Sequence, residues 1–346
     1  MVSALNKELV LRRDEFKNES IETIYFGGGT PSVLSMDELQ SLITTVYDNY
    51  QVSDAPEITL EANPDDLSSQ KIEALAESPV NRLSIGIQSF FEADLKLMNR
   101  AHNAFEAEDS ILKAKKFFDN ISIDLIYGIP DMSNTRWKEN IEKALSLDVP
   151  HISSYALTVE PNTALASFIK KGVVKNVDDA VAQAHFHILS ETLEAAGFES
   201  YEISNFGKPG YFSRNNTAYW QQKKYLGIGP SAHSYDGVRR GWNINNNPKY
   251  LRAIESGELP IETETLSTTD RYNEYVMTGL RTIWGVSLTK IVSEYGKKYR
   301  AYLLQQAEKH LEEHLLYIDG DILLTTKKGR FLADGIASDL FMLNLS

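Results

Sequence analysis

Ile24-Tyr25-Phe26 passes directly into Gly27-Gly28-Gly29-Thr30-Pro31, an apolar β-like run that breaks into a glycine-rich polar tag. The same event recurs downstream. Ile58-Thr59-Leu60 leads into Glu61-Ala62-Asn63-Pro64. Leu83-Ser84-Ile85-Gly86-Ile87 leads into Gln88-Ser89-Phe90, and the run from Ile121 to Tyr127 leads into Gly128-Ile129-Pro130. Segments with helical periodicity separate the runs. This is a (β/α) repeat, and in parallel barrels the chemistry sits at the carboxyl ends of the strands. Strands are expected near 22–27, 57–62, 82–87, 121–126 and 151–157, and helices near 35–50, 68–77, 92–98, 104–118 and 135–148. Ser35 and Glu38 are spaced as a capping box for the first of these helices. The helical crossovers should be right-handed.

The 346 residues allow one large domain and a smaller one. Hydrophobic content of 42% and charged content of 24% are ordinary for a globular chain. No apolar run approaches the roughly 18 residues of a membrane span. The first residues, MVSALNKELVLRRDEF, read as an amphipathic helix with Leu5, Leu9 and Leu11 among charges, not as a signal peptide. A cytoplasmic location is the expectation, with membrane contact only through partners. The net charge of −13 argues against broad binding to nucleic acid or anionic membranes. With no cysteine, the chain has no disulfide, thiolate metal site or cysteine nucleophile.

Three regions follow: a partial barrel over 1–170, a capping and linking segment over 171–265, and a C-terminal domain over 266–346. A helix fits 178–196, and the rest of the middle reads as loops and short strands rich in aromatics, among them Tyr201, Phe206, Tyr219, Trp220, Tyr225 and Tyr235. In the last region, helices fit 270–284, 287–295 and 299–315. A hairpin turning at Asp319-Gly320 and a helix near 330–341 complete a winged-helix-like pattern. From Ser267 to Ser346 there are ten Lys and Arg against ten Asp and Glu, so a structural or docking role is expected there rather than DNA reading.

Three successive glycines after a strand allow close approach of a ligand to backbone N–H groups. Glu61 and Gln88 end successive strands, where inward polar groups are costly unless used. A carboxylate there suits ribose hydroxyls or an ammonium group, and an amide suits ribose or amino-acid atoms. Arg100 offers a bidentate fork for a carboxylate, and Asp124 adds a second acid. Individually these could form a structural salt-bridge network. As an ordered set they favour a binding site.

That set resembles the radical S-adenosylmethionine (SAM) family in its coproporphyrinogen III oxidase-like branch. Gly28, Gly29, Thr30, Glu61, Gln88, Arg100, Asp124 and Ala156 match its SAM-contacting positions in order and spacing. The resemblance assigns GGGTP to the methionine end of SAM and the polar residues to contacts around the same molecule. LEANPDDL, GIQSF, DLIYGIP, YEISNF and GIGPSAHS look closer to the heme-chaperone (HemW-like) branch than to the oxidase. The implied fold is α/β, an incomplete parallel (β/α)6 barrel with a C-terminal winged-helix-like domain.

Two departures matter. The family carries a CxxxCxxC loop whose thiolates hold a [4Fe–4S] cluster, and the simplest expectation is a start displaced downstream of that loop. Without cysteine, this chain is expected not to cleave SAM. The heme-chaperone branch also carries HNxxYW where this chain has Asn215-Asn216-Thr217-Ala218-Tyr219-Trp220. Asn215 is a poor iron ligand beside imidazole. Asn216, Tyr219, Trp220 and the motif residue His233 remain as heme candidates. His310 and His314, one helical turn apart, read as a solvated helix face, and His185 and His187 cannot share a helix face. The resemblance implies a heme chaperone that binds SAM and passes heme to acceptor proteins. The alternatives are a porphyrin-biosynthetic oxidoreductase (coproporphyrinogen III dehydrogenase) and a cluster-free SAM- or porphyrin-binding protein.

Overall fold

The computed structural model describes residues 1–161 and 163–343. Helix α1 (Val2–Leu11) precedes strand β1 (Ile21–Phe26) and helix α2 (Met36–Asn49). There follow β2 (Val52–Ala62), α3 (Ser69–Ala76), β3 (Arg82–Gln88), α4 (Glu92–Leu97), α5 (Ala104–Ala114), β4 (Ile121–Tyr127), α6 (Asn134–Ser146) and β5 (His151–Ala156). Then come α7 (Ala164–Lys170), α8 (Asp179–Ala195), β6 (Glu199–Glu202) and β7 (Asn205–Gly207). The expected strands and helices are all present, most within a few residues of their expected ends.

One sheet takes all seven strands in the order β1-β2-β3-β4-β5-β7-β6. Strands β2 to β5 pair in parallel, as a (β/α) repeat requires. The result is an α/β fold with a parallel half-barrel sheet. Strand β3 is buried at six of its seven positions, the pattern of a parallel strand covered on both faces. The addition to this picture is at the β5 edge. There β7 pairs antiparallel with both β5 and β6. YEISNFG gave no strand period because the two strands are only four and three residues long.

Packing divides the chain into two units. One comprises Thr23–Met36 and Ala55–Ser213; the other comprises Met1–Glu22, Asp37–Asp54 and the chain from Arg214 onward. In the first unit Ile58, Leu60, Leu83, Ile85, Ile123 and Ile152 form the sheet core. His185 is buried beneath β4: its ring stacks on Trp137 at 5.9 Å and its Nδ1 accepts from the Gly128 N–H at 3.1 Å.

The second unit adds α9 (Arg214–Trp220), β8 (His233–Tyr235), β9 (Arg239–Asn243), α10 (Asn247–Ser256) and β10 (Ile261–Thr265). The chain continues with α11 (Thr268–Leu280), β11 (Val286–Ser287), α12 (Leu288–Lys290), α13 (Lys297–Glu312), β12 (Leu316–Asp319), β13 (Ile322–Thr325), α14 (Lys327–Arg330) and α15 (Ala333–Asp339). Strands β10-β9-β8 form one antiparallel sheet and β11-β13-β12 another. Helices followed by a small sheet with a hairpin give the winged-helix-like arrangement, built on Tyr272, Val276, Leu280, Val286, Leu303 and Leu323. Helix α11 ends at Leu280, short of the expected 284. A Cβ at Gly279 would lie 2.6 Å from Val286, so the chain crosses itself closely there. His310 is buried and bonds Asp339 at 3.1 Å, which corrects the solvated-face reading for that residue; His314 is exposed.

Helix α1 carries a buried ion pair. Glu8 and Arg12 are 0% and 2% exposed. Glu8 accepts from Asn243 Nδ2 at 2.7 Å, the Tyr250 hydroxyl at 2.5 Å and the Gly229 N–H at 2.8 Å. Arg12 donates to Glu8 at 3.3 Å, to the Gly227 carbonyl at 2.8 Å and to Ser234 Oγ at 3.1 Å. Among the described residues no helix is long and apolar enough to cross a membrane.

Candidate functional site

The carboxyl ends of β1 to β4 gather the residues singled out by the tags. After β1, Gly28 and Gly29 have φ of 73° and 126°, which residues with a Cβ rarely adopt. Open space surrounds both, so a ligand can lie against this backbone. Gly27 is needed for a different reason. A Cβ there would stand 2.6 Å from the Tyr25 ring and 3.0 Å from the Glu61 carboxylate. Glu61 is fixed through both oxygens: the Tyr25 hydroxyl donates to Oε1 at 2.7 Å and the Gly28 N–H to Oε2 at 3.3 Å. Burial and the Glu61 charge hold the Tyr25 phenol far above its ordinary pKa, so it stays a donor.

At the end of β3 the register with β4 slips between Ile85 and Gln88, and Gln88 has φ of 66°. Such an irregularity re-aims a side chain. Gln88 and Arg100 both come up against Gly86, where a Cβ would lie 2.9 Å from Gln88 Nε2 and 3.3 Å from Arg100 Nη2. Arg100 Nη2 donates to Asn63 Oδ1 at 2.8 Å and to the Gly86 carbonyl at 3.2 Å. Its Nε is buried and has no hydrogen-bond partner among the described residues. The Nε atoms of Arg136 and Arg271 are in the same condition, and that of Arg100 differs in lying beside the strand-end residues, where it leaves a donor for a ligand acceptor.

Asp124 is bonded by Ser84 Oγ at 3.4 Å and by Ser153. Burial first and the Glu61 charge second push its carboxyl up to about 7. Asp124 is therefore only partly ionised at neutral pH. Behind Ser153 runs a buried chain: Ser122 Oγ at 3.3 Å, then His151 Nδ1 at 2.7 Å from Ser122, then the Tyr201 hydroxyl at 2.7 Å from His151 Nε2. Thr30 and Ala156 lie exposed at the loop after β1 and the end of β5, outside this bonded group. Sequence reasoning passed over Tyr25, Asn63, Ser84 and Ser153. Tyr25 sat inside an apolar run, and nothing in the spacing marked it as the residue that clamps Glu61.

Iron–sulfur clusters are held by thiolates. The chain has no cysteine, and no group of three His, Asp or Glu that could hold a metal occurs among the described residues. These residues do not fit a cluster.

The second unit contains its own cavity of about 450 Å³, within the range of small-molecule sites. Tyr219, Trp220, Tyr225 and Tyr235 line one wall, and α11 supplies another through Asn273, Glu274 and Met277. The aromatics form a ladder. Tyr219 meets Trp220 edge-on at 5.4 Å and Tyr225 at 5.5 Å, and Tyr225 meets Tyr235 at 6.2 Å. Arg281 lies 4.8 Å over the Trp220 ring, covering one of its faces. Of the four expected heme residues, Tyr219 and Trp220 line the cavity, whereas Asn216 and His233 are not among its lining residues. His233 is exposed beside Trp242, ring to ring at 6.3 Å.

Comparison with known proteins gives consistent results. The model of the radical SAM superfamily matches residues 5–158, and that of the HemN C-terminal domain matches 266–332. The heme chaperone HemW of Lactococcus lactis is 34% identical over 97% of this chain and 88% of its own length. The heme chaperone HemW of Bacillus subtilis is 32% identical over 97% of this chain and 89% of its own. Among solved structures, coproporphyrinogen III oxidase (HemN) from Escherichia coli superposes with a TM-score of 0.81 at 23% identity, covering 98% of this chain and 82% of that one.

Proposed function

Because the chain belongs to the HemW family of the radical SAM superfamily, we propose that it is a heme carrier of the cytoplasm, which binds heme and passes it to acceptor proteins, with SAM seated at the strand ends. The observation that carries this reading is the near full-length match to heme chaperones at 32–34% identity. The aromatic ladder around Tyr219 and Trp220 supports it, since a porphyrin face is large and apolar. The test is to titrate hemin and, separately, to assay coproporphyrinogen turnover under anaerobic conditions. We expect a perturbed Soret band and no turnover. A hemin spectrum identical to that of free hemin, or measurable turnover, overturns the proposal.

The strand-end residues fit SAM, whose sulfonium and ammonium are cationic and whose carboxylate is anionic. Gly28, Gly29 and Thr30 would receive the methionine portion, with the unpartnered Nε of Arg100 available to its carboxylate. Glu61, Gln88 and Asp124 would take the ammonium and ribose hydroxyls, and Ala156 would flank the adenosine. Bound SAM brings a fixed sulfonium charge to a mouth lined by two acids, which is attractive only when those acids are ionised.

SAM affinity should therefore rise with pH through about 7 as Asp124 ionises. The fold runs the other way. A carboxyl whose pKa is raised by folding favours the folded state at low pH, and that contribution fades as pH climbs from about 4, the unfolded value, to about 7. Calorimetry of SAM binding across this range, on the wild type and on Asp124→Asn, checks the first point. The variant should lose the pH dependence. An unchanged pH profile in Asp124→Asn, or unweakened binding in both Glu61→Ala and Arg100→Ala, would show that SAM is held elsewhere.

A further inference from the structure

We propose that His102 is a positioning residue for SAM, holding the turn at the end of β3 that aims Gln88. This rests on the SAM reading above and assigns a residue that acts through Gln88 rather than on the ligand. The β3–β4 ladder slips between Ile85 and Gln88. Side chains take carbonyls in that gap: Arg100 Nη2 donates to Gly86 at 3.2 Å, and His102 Nε2 donates to Ile87 at 3.0 Å. The Ser89 N–H reaches the same Ile87 carbonyl at 2.9 Å, across Gln88, whose φ is 66°. That is a three-residue γ-turn of the rare, positive-φ form. Such strained backbone persists only where its surroundings hold it. The imidazole of His102 is the side chain bonded to this turn's own carbonyl.

A carbonyl oxygen only accepts, so Nε2 carries the ring proton. It keeps that proton whether or not Nδ1 gains another, and the bond therefore survives a change of pH. Nδ1 is buried with no hydrogen-bond partner among the described residues, and Asp65 lies 3.8 Å from it. Burial holds the pKa of the ring below its ordinary value; Arg100 acts the same way, while the Ile87 bond, Asp65 and Glu106 oppose. His102 is only 3% exposed, so packing fixes its ring. The loop that carries it is anchored on both sides. The Arg100 N–H bonds the Leu95 carbonyl at 2.9 Å, and Asn103 starts α5 in a capping box with Glu106. One short loop thus delivers Arg100 and, two residues on, the donor that fixes the turn at Gln88.

The test measures SAM affinity by calorimetry in the wild type, His102→Leu, His102→Gln, Gln88→Ala and the double variant of His102→Leu with Gln88→Ala. Leucine fills the space without a donor, whereas glutamine offers an amide N–H where Nε2 stood. His102→Leu should weaken SAM about tenfold, the upper range for one hydrogen bond, and His102→Gln should restore the affinity. In the Gln88→Ala background His102→Leu should cost nothing further, because its effect runs through Gln88. Equal weakening in both backgrounds marks a merely structural role and overturns the assignment. So does an unweakened His102→Leu, a His102→Gln as weak as His102→Leu, or a Gln88→Ala that binds SAM like the wild type. Should a melting curve show that His102→Leu does not fold, the imidazole nitrogen shifts of the wild type decide. They must report the Nε2–H tautomer, and a ring protonated on Nδ1 alone overturns the assignment. If the wild type binds SAM but these comparisons fail, the SAM reading stands. If it binds none, both fall.

Discussion

Glu8→Ala should destabilise the unit built around α1 by about 3–5 kcal/mol, the range for removing one partner of a buried ion pair. The Tyr250 hydroxyl and the Gly229 N–H would lose their acceptor at once, and Asn243 Nδ2 would keep only the Gly229 carbonyl. Arg12 would keep only Glu15, bonded at 2.7 Å, as a charged partner. Each unsatisfied buried group carries its own desolvation cost, so the effect exceeds that of one hydrogen bond. Glu19→Ala is the control. Glu19 pairs with Lys224 at 2.5 Å on the surface, where both side chains are more than two-fifths exposed, and its loss should fall within about 0.5 kcal/mol. Urea unfolding of both variants decides the matter. Equal midpoints would mean that the Glu8 network is not holding the unit.

Anaerobic reconstitution of the 346-residue chain with iron and sulfide should leave no cluster after desalting. This is an all-or-none result. Cysteine thiolates hold such clusters, the sequence has none, and the described histidines and acids do not converge in threes. The pairs His310 with Asp339 at 3.1 Å and His102 Nδ1 with Asp65 at 3.8 Å each join only two groups. Visible absorption and iron content per protein are the readouts. Stoichiometric iron and sulfide retained with a charge-transfer spectrum would refute the expectation. The same preparation should release no 5′-deoxyadenosine from SAM.

The alternation of runs and tags made β1 to β5 legible, because each strand ends in a residue whose chemistry contradicts its apolar neighbours. Glu61 and Gln88 at strand ends could be named for the same reason, and Asp124 within β4 and Arg100 in the loop after α4 from their order and spacing with them. What holds them could not. Tyr25 and Asn63 act across strands, and sequence spacing records only neighbours along the chain. The antiparallel pair β6–β7 escaped because strands of three and four residues carry too few positions for a period. In α1, leucines among charges suggested an amphipathic helix. Glu8 and Arg12 are instead buried, since their partners lie more than 200 residues away. The cavity residues Met277 and Asn273 come from a helix whose apolar stripe identified the domain core, and their second face had no signal of its own.

The distribution of the two units along the chain has a consequence for synthesis. The sheet-bearing unit is nearly continuous, from Ala55 to Ser213 with the short piece Thr23–Met36. A chain growing from its amino end completes those residues early and can pack them while translation continues. Helix α1 is made before that unit, yet its buried charges meet Gly227, Gly229, Ser234, Asn243 and Tyr250 only after those residues emerge. Until then Glu8 and Arg12 are best left in water. Helix α1 is therefore among the last elements to find its place, and nascent chains halted before about residue 250 should expose it to proteases.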